Sequence, residues 1–156
     1  MNVFISPGNR NDVARLVREK LGENVRVLHQ ADGSPILAGS NLNVSISHSH
    51  HFVALAVHPS LRIGIDIEEP RMEQLRRVIA KFLSEKEVPL WDDRLLAAWT
   101  CKEAVFKAAG VQGLGFGQID ITEPGFASIP DGRKFALQTI ETPSFTLTLA
   151  TPCSNL

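Results

Sequence analysis

The chain has 156 residues, 44% hydrophobic and 21% charged, with 16 Lys plus Arg against 17 Asp plus Glu. At roughly 100–200 residues per domain this is one compact domain or two small lobes sharing a core, which excludes a large barrel or a doubly wound domain with a separate substrate domain. The near-zero net charge of -1 argues against a broad basic nucleic-acid surface but leaves room for a local phosphate pocket.

In chain order, Asn11–Leu21 carries Val13, Leu16, Val17 and Leu21 at near-helical spacing, with Gly22 as a stop. The opening MNVFISPGNRND does not read as a secretory leader. Residues 25–28 form a short predicted strand, and Gln30–Asn41, rich in Gly, Ser and Pro, reads as a loop. Asn43–Ser47, Phe52–Val57 and Arg62–Glu68 are the next predicted strands. After Pro70 the period changes: Met72, Leu75, Val78, Ile79 and Phe82 share a helical face. Ser84 and Glu87 have the spacing of a capping box, and Pro89 is expected to end that turn quickly. Asp92 or Asp93 is a candidate cap for a helix running to Ala109 before Gly110. The tail is strand-like at 118–122, 126–129, 135–139 and 145–150, with Pro130-Asp131-Gly132 as a turn. The fold class expected is α+β, an antiparallel sheet packed with helices. No 18-residue apolar run is present, so no membrane span is expected. Cys101 and Cys153 form neither a metal-spaced pair nor a disulfide framework, which fits a reduced, cytoplasmic setting.

Three stretches carry chemistry. In Gly64-Ile65-Asp66-Ile67-Glu68 the period of a strand puts both carboxylates on one face. Two like charges so placed repel and call for a hard cation such as Mg2+, unless that face simply meets water. In Trp99-Thr100-Cys101-Lys102-Glu103-Ala104-Val105-Phe106-Lys107, residues Trp99, Glu103 and Lys107 follow at i, i+4 and i+8. Glu103 can complete a metal triad with Asp66 and Glu68, while Lys107 and Lys102 hold phosphate oxygens. The plainer reading is a Glu–Lys pair worth a few tenths of a kcal/mol, about 0.3, which does not account for Trp99. Ser45-Ile46-Ser47-His48-Ser49-His50-His51 offers hydroxyls and imidazoles for a phosphate pocket; a polar turn or, less well spaced, a zinc site are the alternatives. Together these features describe a metal-assisted phosphate-transfer site.

In this order and spacing the motifs resemble the 4'-phosphopantetheinyl transferases, which combine a Gly-Ile/Val-Asp strand with a Trp/Phe-x-x-Lys-Glu-Ala/Ser-x-x-Lys helix. Ile46-Ser47-His48-Ser49 and Phe82-Leu83-Ser84-Glu85-Lys86-Glu87 extend the likeness. The resemblance implies Mg2+ held by Asp66, Glu68 and Glu103 against the pyrophosphate of coenzyme A. It implies Glu103 as base toward a serine of an apo acyl or peptidyl carrier protein, with Asp66 and Lys107 also catalytic. Ser47, His48, Lys102 and Lys107 would bind coenzyme A, and Arg71, Arg76, Arg77 and Lys81 are candidates for a carrier-docking edge. A non-catalytic module binding coenzyme A or a carrier protein is the alternative. The larger members carry Gly-Lys-Pro where this chain has Gly33-Ser34-Pro35, so one cation is missing. Residues 1–60 then resemble a shortened first lobe and residues 61–156 a complete core lobe of one transferase domain, as a monomer or small homo-oligomer.

Overall fold

The computed structural model describes residues 1–154. Strand β1 (Asn2–Pro7) precedes helix α1 (Val13–Leu21), a hairpin of β2 (Arg26–His29) and β3 (Pro35–Ala38), then β4 (Asn43–His48) and β5 (Phe52–His58). Strand β6 (Gly64–Glu68) leads to four helices: α2 (Met72–Arg77), α3 (Ile79–Phe82), α4 (Val88–Trp91) and α5 (Leu95–Ala109). The tail supplies β7 (Phe126–Ser128), β8 (Lys134–Glu141) and β9 (Thr146–Pro152). One antiparallel sheet runs β1-β5-β4, and a second runs β6-β9-β8-β7. The α+β class expected from the sequence is the class observed.

The two sheets meet edge to edge. The N–H groups of Ile65 and Ile67 donate to the hydroxyls of Ser45 and Ser47, each at 3.0 Å. Two serines one strand period apart thus serve two amides one period apart, with β4 and β6 running in the same direction. They occupy donors that an edge strand otherwise leaves open. Strand β5 is buried on both faces, which is why Phe52–His58 lacks alternation. Val53, Leu55 and Val57 pack with Leu16 and Val17 of α1, while Ala54 and Ala56 pack against Ile65, Ile67, Leu147 and Leu149. The largest core lies between α5 and the second sheet.

Several local expectations are corrected. β1 and β3 were not legible as strands; β3 falls inside the stretch read as a loop. The helix expected over 72–82 breaks at Val78 (φ −117°, ψ 13°). Only half of the Ser84 box forms: the Ser84 amide donates to Glu87 Oε1 at 2.8 Å, and α4 starts at Val88. Pro89 sits in the first turn of α4 rather than ending it, a position where its missing N–H costs no helical bond. Arg94, not Asp92 or Asp93, holds the cap position of α5. Residues 118–122 make one bridge, Asp120 to Ser128, because the Ile121 and Thr122 amides are taken by the Glu87 and Asp120 carboxylates.

Candidate active site

Gly64 sets the distance between strand β6 and helix α5. A Cβ at Gly64 would stand 1.8 Å from the Ala104 carbonyl oxygen, so only glycine lets α5 lie flush on the strand. Helix α5 is buried nearly all round; Trp99, Glu103, Phe106 and Lys107 are its residues left partly open. Three of them are the i, i+4, i+8 stripe of the sequence, and the close approach sets that stripe beside the polar face of β6. Ile65 and Ile67 point the other way, into the core shared with β5.

Asp66 is 5% exposed. Its Oδ1 accepts from the Ser47 hydroxyl at 3.2 Å and lies 3.4 Å from Lys107 Nζ, while its Oδ2 is buried without a partner. Burial pushes the Asp66 carboxyl up to about 7; Lys107 opposes that, and Glu68 and Glu103 add to it. Glu103 is likewise raised, first by burial and then by Glu68, against the pull of Lys107 and Arg71. Lys107 donates to the Ile65 carbonyl at 2.8 Å and the Ile46 carbonyl at 3.3 Å, bridging the seam between the two sheets. Glu68 accepts from Trp99 Nε1 at 3.2 Å and from Arg71 at 3.4 Å. Trp99 is wedged between Phe82 and Phe116, with the Arg71 guanidinium 5.0 Å from its ring centre. The stripe's Trp99 thus orients a carboxylate, a role that a surface Glu–Lys pair does not require.

The three carboxylates share one electrostatic neighbourhood but do not form a closed ligand set. Among the described residues, no three His, Cys, Asp or Glu side chains stand close enough to hold a metal ion. Glu68 is drawn toward Trp99 and Arg71 instead. The donor chemistry nevertheless suits a hard cation: an orphaned, buried carboxylate oxygen with two further carboxylates repelling it.

Three residues lie differently from the sequence reading. Lys102 does not face the site: its side chain is fully buried, with Nζ 2.7 Å from Glu87 Oε1 and 2.8 Å from the Phe116 carbonyl. Glu87 also accepts from the Ser84 and Ile121 amides, so both of its oxygens are engaged and the buried pair ties three loops together. Position 102 lies one residue off the open stripe, and Glu87, 15 residues earlier, draws its side chain inward. Ser47 does not present its hydroxyl to a ligand either: its proton goes to Asp66 and its lone pair to the Ile67 amide. Arg71, read as a docking residue, is committed to Glu68 and Trp99. Arg76, Arg77 and Lys81 are exposed and make no ion pair among the described residues.

His48 lines a groove of about 1190 Å³ that runs between β4, the β2–β3 hairpin, Lys107 and residues 110–113. Burial, then Arg10 and Lys107, lower its proton affinity. Arg10, Arg18, Arg26, Arg62 and Lys107 line this groove against a single carboxylate, Asp32. A chain of net charge -1 therefore concentrates cations on one concave surface, the arrangement that favours a polyanionic ligand. Sequence reasoning missed these arginines because they are scattered over 50 residues with no shared motif. The Ser-His turn is anchored by Glu69, which accepts from the His51 amide at 2.8 Å and faces His51 Nδ1 at 2.6 Å.

Residues 62–148 match the profile described as ACPS, the 4'-phosphopantetheinyl transferase superfamily. L-aminoadipate-semialdehyde dehydrogenase-phosphopantetheinyl transferases of Homo sapiens and Rattus norvegicus are each 30% identical over 131 residues, covering 67% of this chain and 41% of their own length. 4'-Phosphopantetheinyl transferase HetI of Nostoc sp. is 33% identical over 99 residues, 55% of this chain and 42% of the relative. The chain thus spans about two-fifths of the length of these curated relatives. The profile match takes in Asp66, Glu68, Glu103 and Lys107, and it covers more than half of the residues; the chain belongs to the 4'-phosphopantetheinyl transferase superfamily.

Proposed function

We propose that this protein transfers the 4'-phosphopantetheine group of coenzyme A to a serine hydroxyl of an apo acyl or peptidyl carrier protein, releasing adenosine 3',5'-bisphosphate. The observation carrying this reading is the electrostatic coupling of Asp66, Glu68 and Glu103 beside Lys107, which itself lines the cation-rich groove. Asp66, Glu68 and Glu103 would hold Mg2+, which when bound neutralises charge on the pyrophosphate. Glu103, with its proton affinity raised by burial and by Glu68, takes the proton of the acceptor serine directly or through water. The serine oxygen bonds to the pantetheine-side phosphorus as the bond from that phosphorus to the bridging oxygen breaks. Lys107, steadied by two main-chain carbonyls, sets a fixed cation beside the phosphates. His48 contacts a coenzyme A phosphate from the groove wall. Arg76, Arg77 and Lys81 form the docking edge for an acidic carrier surface.

In this reading residues 1–60 act as a shortened first lobe, residues 61–156 as the core lobe, and the protein works in the cytoplasm as a monomer or small homo-oligomer. The fold is then that of the transferase family, with the groove between β4, the β2–β3 hairpin and the end of α5 as its coenzyme A cleft. Purified protein with Mg2+, coenzyme A and an apo carrier protein should add one phosphopantetheine mass by intact-mass analysis, and Glu103→Gln should remove the adduct with folding retained. No adduct on any of several fatty-acid, polyketide and peptide carrier proteins would refute the transfer. One feature favours a second reading, a binding module without transfer: the Ser34 hydroxyl is taken up by Gln30 and Asp32 on the groove wall. Coenzyme A binding by calorimetry without any adduct marks that outcome.

A further inference from the structure

Arg62 stands just before β6, exposed on the groove. Its Nε donates to the Lys107 carbonyl at 2.9 Å, in the last turn of α5 where unpaired carbonyls attract a cation. Gly110 follows that turn at φ +62°, and a Cβ there would fall 2.6 Å from Arg62 Cζ. The glycine therefore leaves the berth in which the guanidinium lies. One edge of the guanidinium is fixed and the other is free: Nη1 and Nη2 have no hydrogen-bond or ion-pair partner among the described residues. Asp32, the carboxylate of the groove, does not take them. It accepts from the Ser34 amide at 2.9 Å and from the Ser34 hydroxyl, so its own turn satisfies it.

We propose that Arg62 binds the adenosine bisphosphate half of coenzyme A, offering its free two-donor edge to phosphate oxygens. This rests on coenzyme A being the groove's ligand. The assignment to that half follows from position. The pyrophosphate has to reach Asp66, Glu103 and Lys107 to react. Arg62 precedes Asp66 by four residues, at most roughly 13–14 Å of chain. Ser45 and Ser47 of β4 face Ile65 and Ile67 of β6 in parallel, so Arg62, before β6, lies at one end of that seam, where its charge acts on Asp32 of the β2–β3 turn, and His48 at the other. A ligand seated at Lys107 with its pantetheine arm toward the acceptor extends its nucleotide along the remaining groove, where Arg62 waits with a planar fork suited to phosphate.

The test measures two fragments by calorimetry, adenosine 3',5'-bisphosphate and 4'-phosphopantetheine, on the full chain and its Arg62→Gln and Arg62→Lys variants. Arg62→Gln should weaken the bisphosphate on the order of tenfold or more and leave 4'-phosphopantetheine within about twofold. Arg62→Lys, which keeps the charge without the fork, should fall between. Bisphosphate affinity within about twofold of native in Arg62→Gln, or an equal loss for both fragments, overturns the assignment. A lowered melting temperature without the selective loss also overturns it, reducing Arg62 to a cap on α5. A native chain that binds neither fragment refutes the coenzyme A reading itself, so the two failures are distinguishable.

Discussion

Substituting Gly64 by alanine tests whether the site depends on how closely α5 approaches β6. The added methyl would sit 1.8 Å from the Ala104 carbonyl oxygen and 2.8 Å from the Ala108 nitrogen, all main chain of a buried helix. Ordinary contact begins near 3.4 Å, so helix and strand must part by about 1.6 Å, and close-packed neighbours leave nowhere easy to go. Overpacking of this kind costs typically 1–3 kcal/mol, and a clash with the backbone of buried α5 puts Gly64→Ala at about 3 kcal/mol. The same parting carries Glu103 and Lys107 away from Asp66. A misplacement of about 1 Å is enough to cost on the order of 100-fold in rate. Denaturant unfolding should report the lost stability, and transfer to an apo carrier protein, followed by mass, the lost rate. A Gly64→Ala variant with native stability and a transfer rate within about threefold would show that the close approach does not set the site.

Two further outcomes follow from the buried groups. Lys102→Met leaves the Glu87 carboxylate buried without its counter-charge and should lower stability by about 3–5 kcal/mol in denaturant unfolding, with much of the loss recovered in the Lys102→Met, Glu87→Gln double variant. A loss below about 1 kcal/mol would contradict the structural role assigned to this pair. Asp66, held at about 7 by burial, keeps its proton in the folded chain where an unfolded aspartate, near 3.9, has lost it. The folded state therefore binds more protons between about pH 4 and 7, and this contribution to stability is lost as pH rises through that window, by at most about 1.4 kcal/mol per unit. Followed in metal-free buffer, the stability difference between native protein and Asp66→Asn should decline across the window, and a flat or rising difference would contradict the assignment.

Local periodicity in the sequence determined the two elements on which the site is built. The alternation of Asp66 and Glu68 with Ile65 and Ile67, and the stripe of Trp99, Glu103 and Lys107, follow from strand and helix geometry with no help from distant residues. Gly64 stood out by its place, but its reason, the carbonyl of Ala104, belongs to another element. Tertiary structure decided the rest. Lys102 and Lys107 are both helix lysines by pattern, yet one is drawn inward by Glu87, 15 residues earlier, and the other rests on carbonyls of β4 and β6. Ser47 reads as a strand-end hydroxyl open to a phosphate until the edge of β6 arrives beside it and claims both its donor and its acceptor. β1 leaves Val3 and Ile5 exposed while Phe4 between them packs on the core, so apolar residues stand on both faces with no alternation to mark it, and only the ladder to β5 makes it a strand. The cation-lined groove has no local signature at all, since charge accumulates there through the meeting of segments that the chain keeps far apart. Local rules specify which face a side chain occupies; which partner satisfies a buried polar group is settled only when the elements pack.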